Sequence, residues 1–378
     1  MSSQRRRVVI TGMGAVTPLG NDAGETWRAL LAGRSGIGEI TRFDAEGFAT
    51  RFAGEVKGFK PEERLGRKES RRMDRYSQYA VVASLEAAEA SGLTLGDEDG
   101  TRAAVIMGTA IGGLETVERG TETLMQSGPR HLSPFLIPMM LPNMAAGNVA
   151  IALGARGSNF APTSACASAA HAIGEGMHLI RRGDADVVIA GGAEAPITKL
   201  SVGGFNAMGA LSTRNDDPER ASRPFDAERD GFVLAEGAGV LVLEALERAT
   251  ARGATIIGEL MGYGSTDDAN HIVQPAPGGE GAVRAMQMAL TDADLAPAQI
   301  DYINAHGTST QLNEKLETTA IKTVFGEHAH DIPISSTKSM TGHLLGAAGG
   351  VEAVFSLMAL REGWVPPTIN FQVHDPNC

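Results

Sequence analysis

Short apolar segments separated by longer amphipathic ones recur along the chain, and this alternation limits the choice of fold more than any other feature. The strand candidates are residues 7–11, 103–107, 187–190, 240–243 and 300–304. A helix is expected from about Ala23, after a glycine turn at residues 12–14. Strands that alternate with helices are typical of parallel sheets covered on both faces. The pattern therefore predicts an α/β protein.

Two stretches resemble each other, residues 166–190 and 342–360. Each begins with a polar turn, continues through a run of small residues and becomes an amphipathic helix. Small residues allow two helices to approach closely, so these helices are expected at the centre of the molecule, between two sheets. The similarity predicts an internal duplication, with one half at residues 1–250 and the other at 251–378. No low-complexity linker separates the halves, which favours one compact body.

Composition narrows the classes of function. A hydrophobic content of 43% suffices for a sizeable core, and a formal charge of −12 argues against broad nucleic-acid binding. No apolar window reaches the roughly 18 residues of a membrane span. The two cysteines, Cys166 and Cys378, are too few for a disulfide framework or an all-cysteine zinc site. A cytoplasmic protein that binds neither membrane nor nucleic acid is expected.

One dense basic cluster stands out on this acidic chain, on a segment expected to be helical. Its members are Arg64, Arg67, Lys68, Arg71, Arg72 and Arg75. Such a cluster either attracts an acidic partner or is an ordinary solvated helix face, and the charge pattern leaves both interpretations open.

Cys166 lies in the segment Ser-Ala-Cys-Ala-Ser, where a turn is expected to lead into a helix. A thiol at a helix N-terminus is close to unpaired N–H groups and to the positive end of the helix dipole, which favour the thiolate. The segment therefore predicts a nucleophile. The alternative is a small buried apolar side chain, which is the common role of a free cysteine.

Two histidines support the nucleophile interpretation. His306 follows a predicted strand. His343 precedes a predicted helix, and Lys338 lies a few residues before His343 in the same loop. Loops at such positions carry active sites in open α/β folds. Neutral imidazoles can donate hydrogen bonds to a developing oxyanion, so these residues are expected to form one site with Cys166.

Other catalytic signatures are missing or incomplete. Gly12-Met13-Gly14 resembles part of a dinucleotide fingerprint, but Thr17 stands where its third glycine would be, and a simple turn is the better interpretation. The chain has no serine-hydrolase elbow, no Walker phosphate loop and no zincin motif.

Several long motifs in order resemble the β-ketoacyl-[acyl carrier protein] synthases of the elongating type. They include VVITGMGAVTPLG, SACAS, GDADVVIAGGAEAP, NAHGTST and SSTKSMTGHLLGAAG. The resemblance extends over nearly all residues from Val8 onward. It implies a thiolase-like αβαβα fold of two duplicated halves, a homodimer, and no cofactor or catalytic metal.

The resemblance also implies roles for individual residues. Cys166 would carry the acyl group, and His306 with His343 would bind the malonyl thioester carbonyl. Lys338 would tune the site electrostatically and Glu317 would hold the network. The implied binding positions are Ile111 in the acyl tunnel, Lys68, Arg71 and Arg72 toward the acidic carrier protein, and Asn304 and Glu352 near a structural monovalent cation found in some members.

The implied reaction is a ping-pong decarboxylative condensation that lengthens an acyl chain by two carbons. Members of the family continue beyond Cys378 through closing strands and a Gly-Phe-Gly-Gly loop that donates to the oxyanion hole, so the final strands are expected to be missing here. Three alternatives remain. They are a polyketide ketosynthase, a non-catalytic or impaired partner subunit, and a thiolase, although Cys378 lacks the glycine-rich context of a second thiolase cysteine.

Overall fold

A computed structural model describes residues 5–378 of the chain. The strands are β1 Val8–Val16, β2 Gly38–Glu39, β3 Phe52–Ala53, β4 Ala103–Gly108, β5 Asn159–Phe160, β6 Val187–Glu194, β7 Gly237–Ala245, β8 Gly258–Glu259, β9 Ile303–Asn304 and β10 Ile334–Ser335. The helices are α1 Ala23–Leu31, α2 Pro61–Leu65, α3 Arg67–Ser70, α4 Arg75–Ser91, α5 Asp97–Thr101, α6 Leu114–Ser127, α7 Leu136–Met140, α8 Met144–Leu153, α9 Ser168–Arg182, α10 Lys199–Ala207, α11 Leu246–Ala251, α12 Glu280–Ala293, α13 Asn313–Phe325, α14 Lys338–Thr341 and α15 Ala348–Glu362. Among these helices, none combines the length and the apolar character needed to cross a bilayer.

The principal sheet has six strands in the order β5-β4-β6-β7-β1-β8. Strand β4 is parallel to both of its neighbours, whereas β7 is antiparallel to β6 and to β1. The sheet is therefore mixed, and the prediction of a parallel sheet is wrong for this half. The reason is that the long excursion between β6 and β7 returns the chain in the opposite direction, which a local pattern of strands and helices does not reveal.

Helices cover both faces of this sheet, and the alternation of side chains along the strands explains why. Ile106 and Val188 face one core, whereas their neighbours Val105 and Ile189 face another. The first core is completed by apolar residues of α9 and α15, and the second by those of α4 and α8. Strands buried on both faces read as continuous apolar runs, which is the pattern seen in the sequence.

The glycines near the N-terminus lie inside β1 and not in the predicted turn. A Cβ atom on Gly12 would come within 2.1 Å of the carbonyl oxygen of Ala87, and one on Gly14 within 2.1 Å of that of Ala83. Their lack of a side chain therefore lets α4 lie directly against the strand. The chain turns later, where Thr17 and Gly20 form an isolated bridge.

A second, smaller sheet lies on the other side of the central helices. In the part of the chain that the structure describes, it consists of the parallel pair β9 and β10. Ile303 and Ile334 pack with residues of α12 and α13, while Tyr302 packs against the core formed by α9 and α15. The order of layers is helices, large sheet, central helices, small sheet and helices, as in the predicted αβαβα arrangement.

The two central helices begin with the same backbone conformation. Each is preceded by a 3₁₀ turn whose first residue has a positive φ, 49° at Ala165 and 44° at Leu345. Each helix then runs for 15 residues and ends at a left-handed glycine, Gly183 or Gly363. In this comparison Gly346 occupies the position of Cys166.

Candidate active site

Cys166 lies in the 3₁₀ turn immediately before α9. The positive φ of Ala165 is costly for a residue with a side chain and needs local support. Ser168 provides it, because its hydroxyl accepts a hydrogen bond from the N–H of Ser164 at 2.9 Å and donates one to the carbonyl of Ala165 at 2.7 Å. The turn thus fixes the direction in which the thiol points.

His343 is held through its backbone against a neighbouring extended segment. Its N–H donates to the carbonyl of Val233 at 2.7 Å, and its carbonyl accepts from the N–H of Ala235 at 3.0 Å. Gly342 adopts a φ of 72°, and a Cβ there would come within 3.0 Å of both Ala235 and Val233. The glycine therefore permits the pairing that places the imidazole.

His306 is positioned by a carboxylate that binds its backbone. Glu317, on α13, accepts the N–H of His306 at 2.6 Å and the N–H of Gly307 at 2.8 Å. The hydroxyl of Ser336 donates to the carbonyl of Gly307 at 2.7 Å. Glu317 accordingly holds the backbone that carries His306.

The structure brings these side chains together around one cavity. The sulfur of Cys166 lies 2.8 Å from Nε2 of His343. The two imidazole rings meet edge to face at 5.4 Å, and one ligand atom from each of the three residues lies within 4.8 Å of the others. The cavity measures about 390 Å³ and is lined by Ala110, Ile111, Ala165, Cys166, Phe205, Phe232, His306, Thr308, His343 and Leu345.

Burial controls the protonation of this site. It raises the pKa of the Cys166 thiol to about 11, against the opposing charge of Lys338. It lowers the pKa of His306 to about 3 and that of His343 well below its usual value, and Lys338 lowers both further. At neutral pH the site therefore holds a thiol beside two neutral imidazoles, whereas helix position alone had suggested a thiolate.

Lys338 acts on the cavity through its charge and does not line it. Its side chain is buried and forms an ion pair with Glu352 on α15. Burial raises the pKa of Glu352, and the ammonium group of Lys338 opposes that shift. A buried ammonium group needs such a partner, since an unpaired one is costly.

Glu194, at the end of β6, is a functional candidate that sequence reasoning missed. It is fully buried, and its carboxylate accepts the N–H groups of Ala110 at 2.6 Å, Gly346 at 3.0 Å and Ile111 at 3.2 Å. It therefore ties together two segments that line the cavity. The sequence signal that could have identified Glu194 is an acidic residue at the end of an otherwise apolar strand. A carboxylate buried at such a position must be bound by hydrogen-bond donors from other segments.

The basic segment is not one helix, as was predicted. It spans the end of α2, the short helix α3 and the start of α4, with interruptions at Gly66, which has a φ of 76°, and in the turn at residues 71–74. Lys68 and Arg71 are exposed and form no ion pair within residues 5–378. Arg72 pairs with Glu69 at 3.5 Å and lies 5.0 Å above the ring of Phe135. The three positions implied for carrier-protein contact are thus solvent-facing.

Asn304 bears on the structural cation that some members of the resembled family contain. Its side-chain nitrogen and oxygen are both shielded from solvent and have no hydrogen-bond partner in the described chain. A buried amide in this state is normally satisfied by water or an ion. Asn304 therefore fits a cation-binding role, although Glu352 directs its carboxylate to Lys338.

Several solved structures with this architecture are ketosynthases. One, solved in complex with its type II polyketide acyl-carrier protein, has a TM-score of 0.92 and 39% identity, covering 99% of this chain and 91% of that one. A β-ketoacyl synthase from Burkholderia phymatum STM815 has a TM-score of 0.91 and 41% identity, covering 99% and 90%. The fold and the cysteine-histidine site thus define a condensing enzyme with an α/β thiolase-like fold.

Family models give the assignment within that class. The model for the beta-ketoacyl synthase N-terminal domain matches residues 5–249, and that for the C-terminal domain matches residues 257–372. The chain belongs to the beta-ketoacyl synthase family.

Curated relatives are similar over the whole chain. A 3-oxoacyl-[acyl-carrier-protein] synthase 2 of Staphylococcus aureus strain N315 is 53% identical over 376 residues, which is 100% of this chain and 91% of the relative. The synthase of the same name from Synechocystis is 52% identical over 375 residues, covering 99% and 90%.

Proposed function

We propose that this protein condenses an acyl group held on Cys166 with malonyl-acyl carrier protein, giving β-ketoacyl-acyl carrier protein in fatty-acid elongation. The observation that carries the proposal is the convergence of one thiol and two imidazoles on a single cavity, with sulfur and Nε2 2.8 Å apart. The names of the relatives at 52–53% identity support the substrate class.

In the first half-reaction, the sulfur of Cys166 attacks the thioester carbonyl of the acyl group that an acyl carrier protein delivers. Because the thiol is protonated at rest, its S–H donates to Nε2 of His343, which receives the proton as the carbon–sulfur bond forms. The low pKa of His343 disfavours keeping that proton, so it passes to the departing thiolate of the carrier. The products are acyl-Cys166 and the free carrier thiol.

In the second half-reaction, malonyl carrier protein occupies the cavity and loses carbon dioxide. The electron pair left by the broken carbon–carbon bond forms an enolate, whose oxygen accepts hydrogen bonds from His306 and His343. The enolate carbon attacks the acyl carbonyl, and a new carbon–carbon bond forms as the carbon–sulfur bond of acyl-Cys166 breaks. The thiolate of Cys166 that leaves takes up one proton from solvent, which restores the resting thiol. Neutral imidazoles suit this role because they donate without protonating the carbanion.

His343 must change its hydrogen-bonding role between these steps. Its Nε2 accepts from the thiol before acylation and donates to the enolate oxygen afterwards. Ligand and catalytic histidines usually have one tautomer fixed by a partner on the other ring nitrogen. In the described chain Nδ1 of His343 has no such partner, which leaves the tautomer free to change.

Separate assays of the two half-reactions test the proposal. His306→Ala should leave acylation of Cys166 by acyl carrier protein detectable by mass spectrometry. It should slow decarboxylation of malonyl carrier protein by about 10²- to 10³-fold, the effect of losing one oxyanion donor. Cys378→Ser is the matched control for Cys166→Ser, and only the latter should abolish acylation. Acylation of the Cys166→Ser protein, or unchanged decarboxylation by His306→Ala, would contradict the assignment.

The carrier protein is proposed to dock at the basic segment and to deliver its acyl chain past Ile111. Lys68 and Arg71 offer positive charge that the fold does not neutralise, and a ketosynthase of similar structure has been solved with its acyl-carrier protein. Ile111 lines the cavity, and Glu194 fixes its backbone.

A homodimer is proposed from the free edge of the large sheet. Strand β5 ends the sheet and is exposed, and the adjoining α8 carries Ile151 with 79% of its surface accessible. Phe135, Ile137 and Leu141 are also exposed apolar residues. An open sheet edge beside apolar side chains is normally covered by another chain.

Two further features of the protein are proposed. The two unpaired cysteines fit a cytoplasmic location. The boundary between the two halves is placed between residues 250 and 251.

A polyketide ketosynthase is the second candidate, favoured by the structural similarity to a type II polyketide enzyme. The higher identity to the staphylococcal synthase favours fatty-acid elongation. Purified carrier proteins of both kinds would distinguish them. A single two-carbon extension that stops at β-ketoacyl-carrier protein contradicts the polyketide role, whereas repeated extension to a poly-β-keto chain contradicts the fatty-acid role.

A further inference from the structure

Cys166, His306 and His343 bring three potential metal ligands close together. Their ligand atoms lie within 4.8 Å of one another, and this is the one group of three or more potential ligands found within residues 5–378. We propose that these three residues bind Zn²⁺ reversibly and that bound Zn²⁺ blocks acylation of Cys166. The blocking effect rests on the function proposed above, whereas the binding itself does not.

The distance from the sulfur of Cys166 to Nε2 of His343 is close to the value that zinc requires, and the other two pairs of ligand atoms lie within 4.8 Å. Tetrahedral zinc bound to one sulfur at about 2.3 Å and two nitrogens at about 2.0–2.1 Å separates sulfur from nitrogen by roughly 3.6 Å, and the nitrogens by roughly 3.3 Å. The sulfur of Cys166 and Nε2 of His343 are 2.8 Å apart, so they must separate by less than about 1 Å. That movement replaces the S–H hydrogen bond with two metal bonds.

The donor set selects the kind of ion. A thiolate with two imidazoles suits Zn²⁺ and is a poor match for Mg²⁺ or Ca²⁺, which prefer oxygen ligands. Binding displaces the proton of the thiol, so one proton is released for each ion bound. The charge of Lys338 opposes a cation, but its ion pair with Glu352 offsets much of that charge.

The cavity leaves a fourth coordination position for water or another small ligand. Three protein ligands and an open position are the arrangement of accessible zinc sites, not of closed structural ones. Nδ1 of His343 has no partner to fix the ring, so the affinity should be lower than in a dedicated zinc site. These features indicate an exchangeable, inhibitory ion and not a resident cofactor.

Metal binding and acyl loading should exclude each other. In acyl-Cys166 the sulfur is bonded to a carbonyl carbon and is no longer a thiolate, so it is a weak ligand. In the metal-bound protein the sulfur electron pair is engaged and cannot attack a thioester. The same exclusion applies to any reagent that alkylates Cys166.

Cobalt titration tests the inference without an activity assay. Co²⁺ added to the Cys378→Ser protein should produce a thiolate-to-metal charge-transfer band, and Zn²⁺ should remove it by competition. His306→Ala and His343→Ala should each weaken metal binding by more than about 100-fold. Loss of a residue that only hydrogen-bonds to a metal ligand weakens binding by about 100-fold at most. His330→Ala, on the exposed surface, is the matched control and should bind normally.

Prior alkylation with iodoacetamide or prior acylation should abolish the band. The absence of a charge-transfer band, or a band that survives alkylation of Cys166 or loss of both histidines, would overturn the proposal. Acylation by carrier protein is measured in metal-free buffer. A failure of metal binding therefore leaves the function test unaffected, and a failure of acylation leaves the metal test readable.

Discussion

At the scale of single residues, Cys166 is subject to two opposing influences. Its place before a helix favours the thiolate, whereas burial among apolar side chains favours the neutral thiol. Burial prevails and raises the pKa to about 11. In the proposed mechanism the thiol of Cys166 is consequently unreactive at rest and needs His343, 2.8 Å away, to accept its proton.

This protonation state predicts the pH dependence of alkylation. The thiolate is the reacting form, so the rate of modification of Cys166 by iodoacetamide should rise about tenfold per pH unit well below the pKa. No plateau should appear below pH 9, because the pKa of about 11 lies above that range. Peptide mass mapping of the Cys378→Ser protein measures the rate. A plateau with a midpoint below pH 8 would show that the helix dipole prevails.

The chemistry-bearing residues could be predicted from sequence because they lie at the ends of helices and strands. Cys166, His306 and His343 all occupy such positions, and the structure brings them to one cavity. The elevated pKa of Cys166 could not be predicted, because burial depends on packing by distant segments. Glu194 was missed for the same reason, since its donors come from residues 110, 111 and 346.

At the scale of elements, glycine decides how closely backbones approach. Gly12 and Gly14 lie within β1 because α4 leaves no room for a side chain there. Glycine in a local pattern suggests a turn, and only the packing partner distinguishes a turn from a close approach. The direction of β7 could also not be predicted from the sequence, because this strand runs antiparallel to β6 after a long connection.

Two glycines with the same positive φ allow a comparison of their roles. Gly342 and Gly363 both have a φ of 72°, but ψ is −174° at Gly342 and 21° at Gly363, and only a Cβ at Gly342 meets neighbouring atoms. Gly363→Ala should cost about 1–2 kcal/mol of unfolding free energy from the backbone alone. Gly342→Ala should cost more, because a positive φ with ψ near 180° is accessible essentially only to glycine. Gly342→Ala should also displace His343 and reduce decarboxylation by more than tenfold.

Thermal unfolding and decarboxylation assays of both variants check this expectation. Gly363→Ala should lose stability but retain its turnover. Equal turnover in the two proteins would mean that the pairing of residues 233–235 with His343 does not position the imidazole.

At the scale of the whole molecule, exposed surface indicates contacts with other chains. The free edge of β5 and the exposed Ile151 predict self-association. Ile151→Asp should therefore convert a dimer into a monomer, as measured by sedimentation. Leu360, 68% exposed at the end of α15, is the matched control, and Leu360→Asp should leave the mass unchanged. A monomeric parent protein, or a dimeric Ile151→Asp protein, would contradict the predicted interface.

Charge reversal tests the docking surface for the carrier protein. Lys68→Glu with Arg71→Glu should raise KM for acyl carrier protein by about five- to thirtyfold, roughly 1–2 kcal/mol, and the effect should shrink at high salt. Reaction with a small acyl thioester should be unchanged. Lys322→Glu, exposed on α13, serves as the control. Equal effects on both substrates would assign these residues a structural role.

The turns that precede α9 and α15 have the same backbone conformation but differ in the space that they leave for a side chain. In the second turn the N–H of Gly346 is already bound by the carboxylate of Glu194, and a Cβ there would come within 2.3 Å of the N–H nitrogen of Ala110. A cysteine installed at that position has no space, because its Cβ would also come within 2.6 Å of the carboxyl group of Glu194. The second turn therefore has no place for a second thiol, and intact-mass spectra of the saturated enzyme should show a stoichiometry of one acyl group per polypeptide.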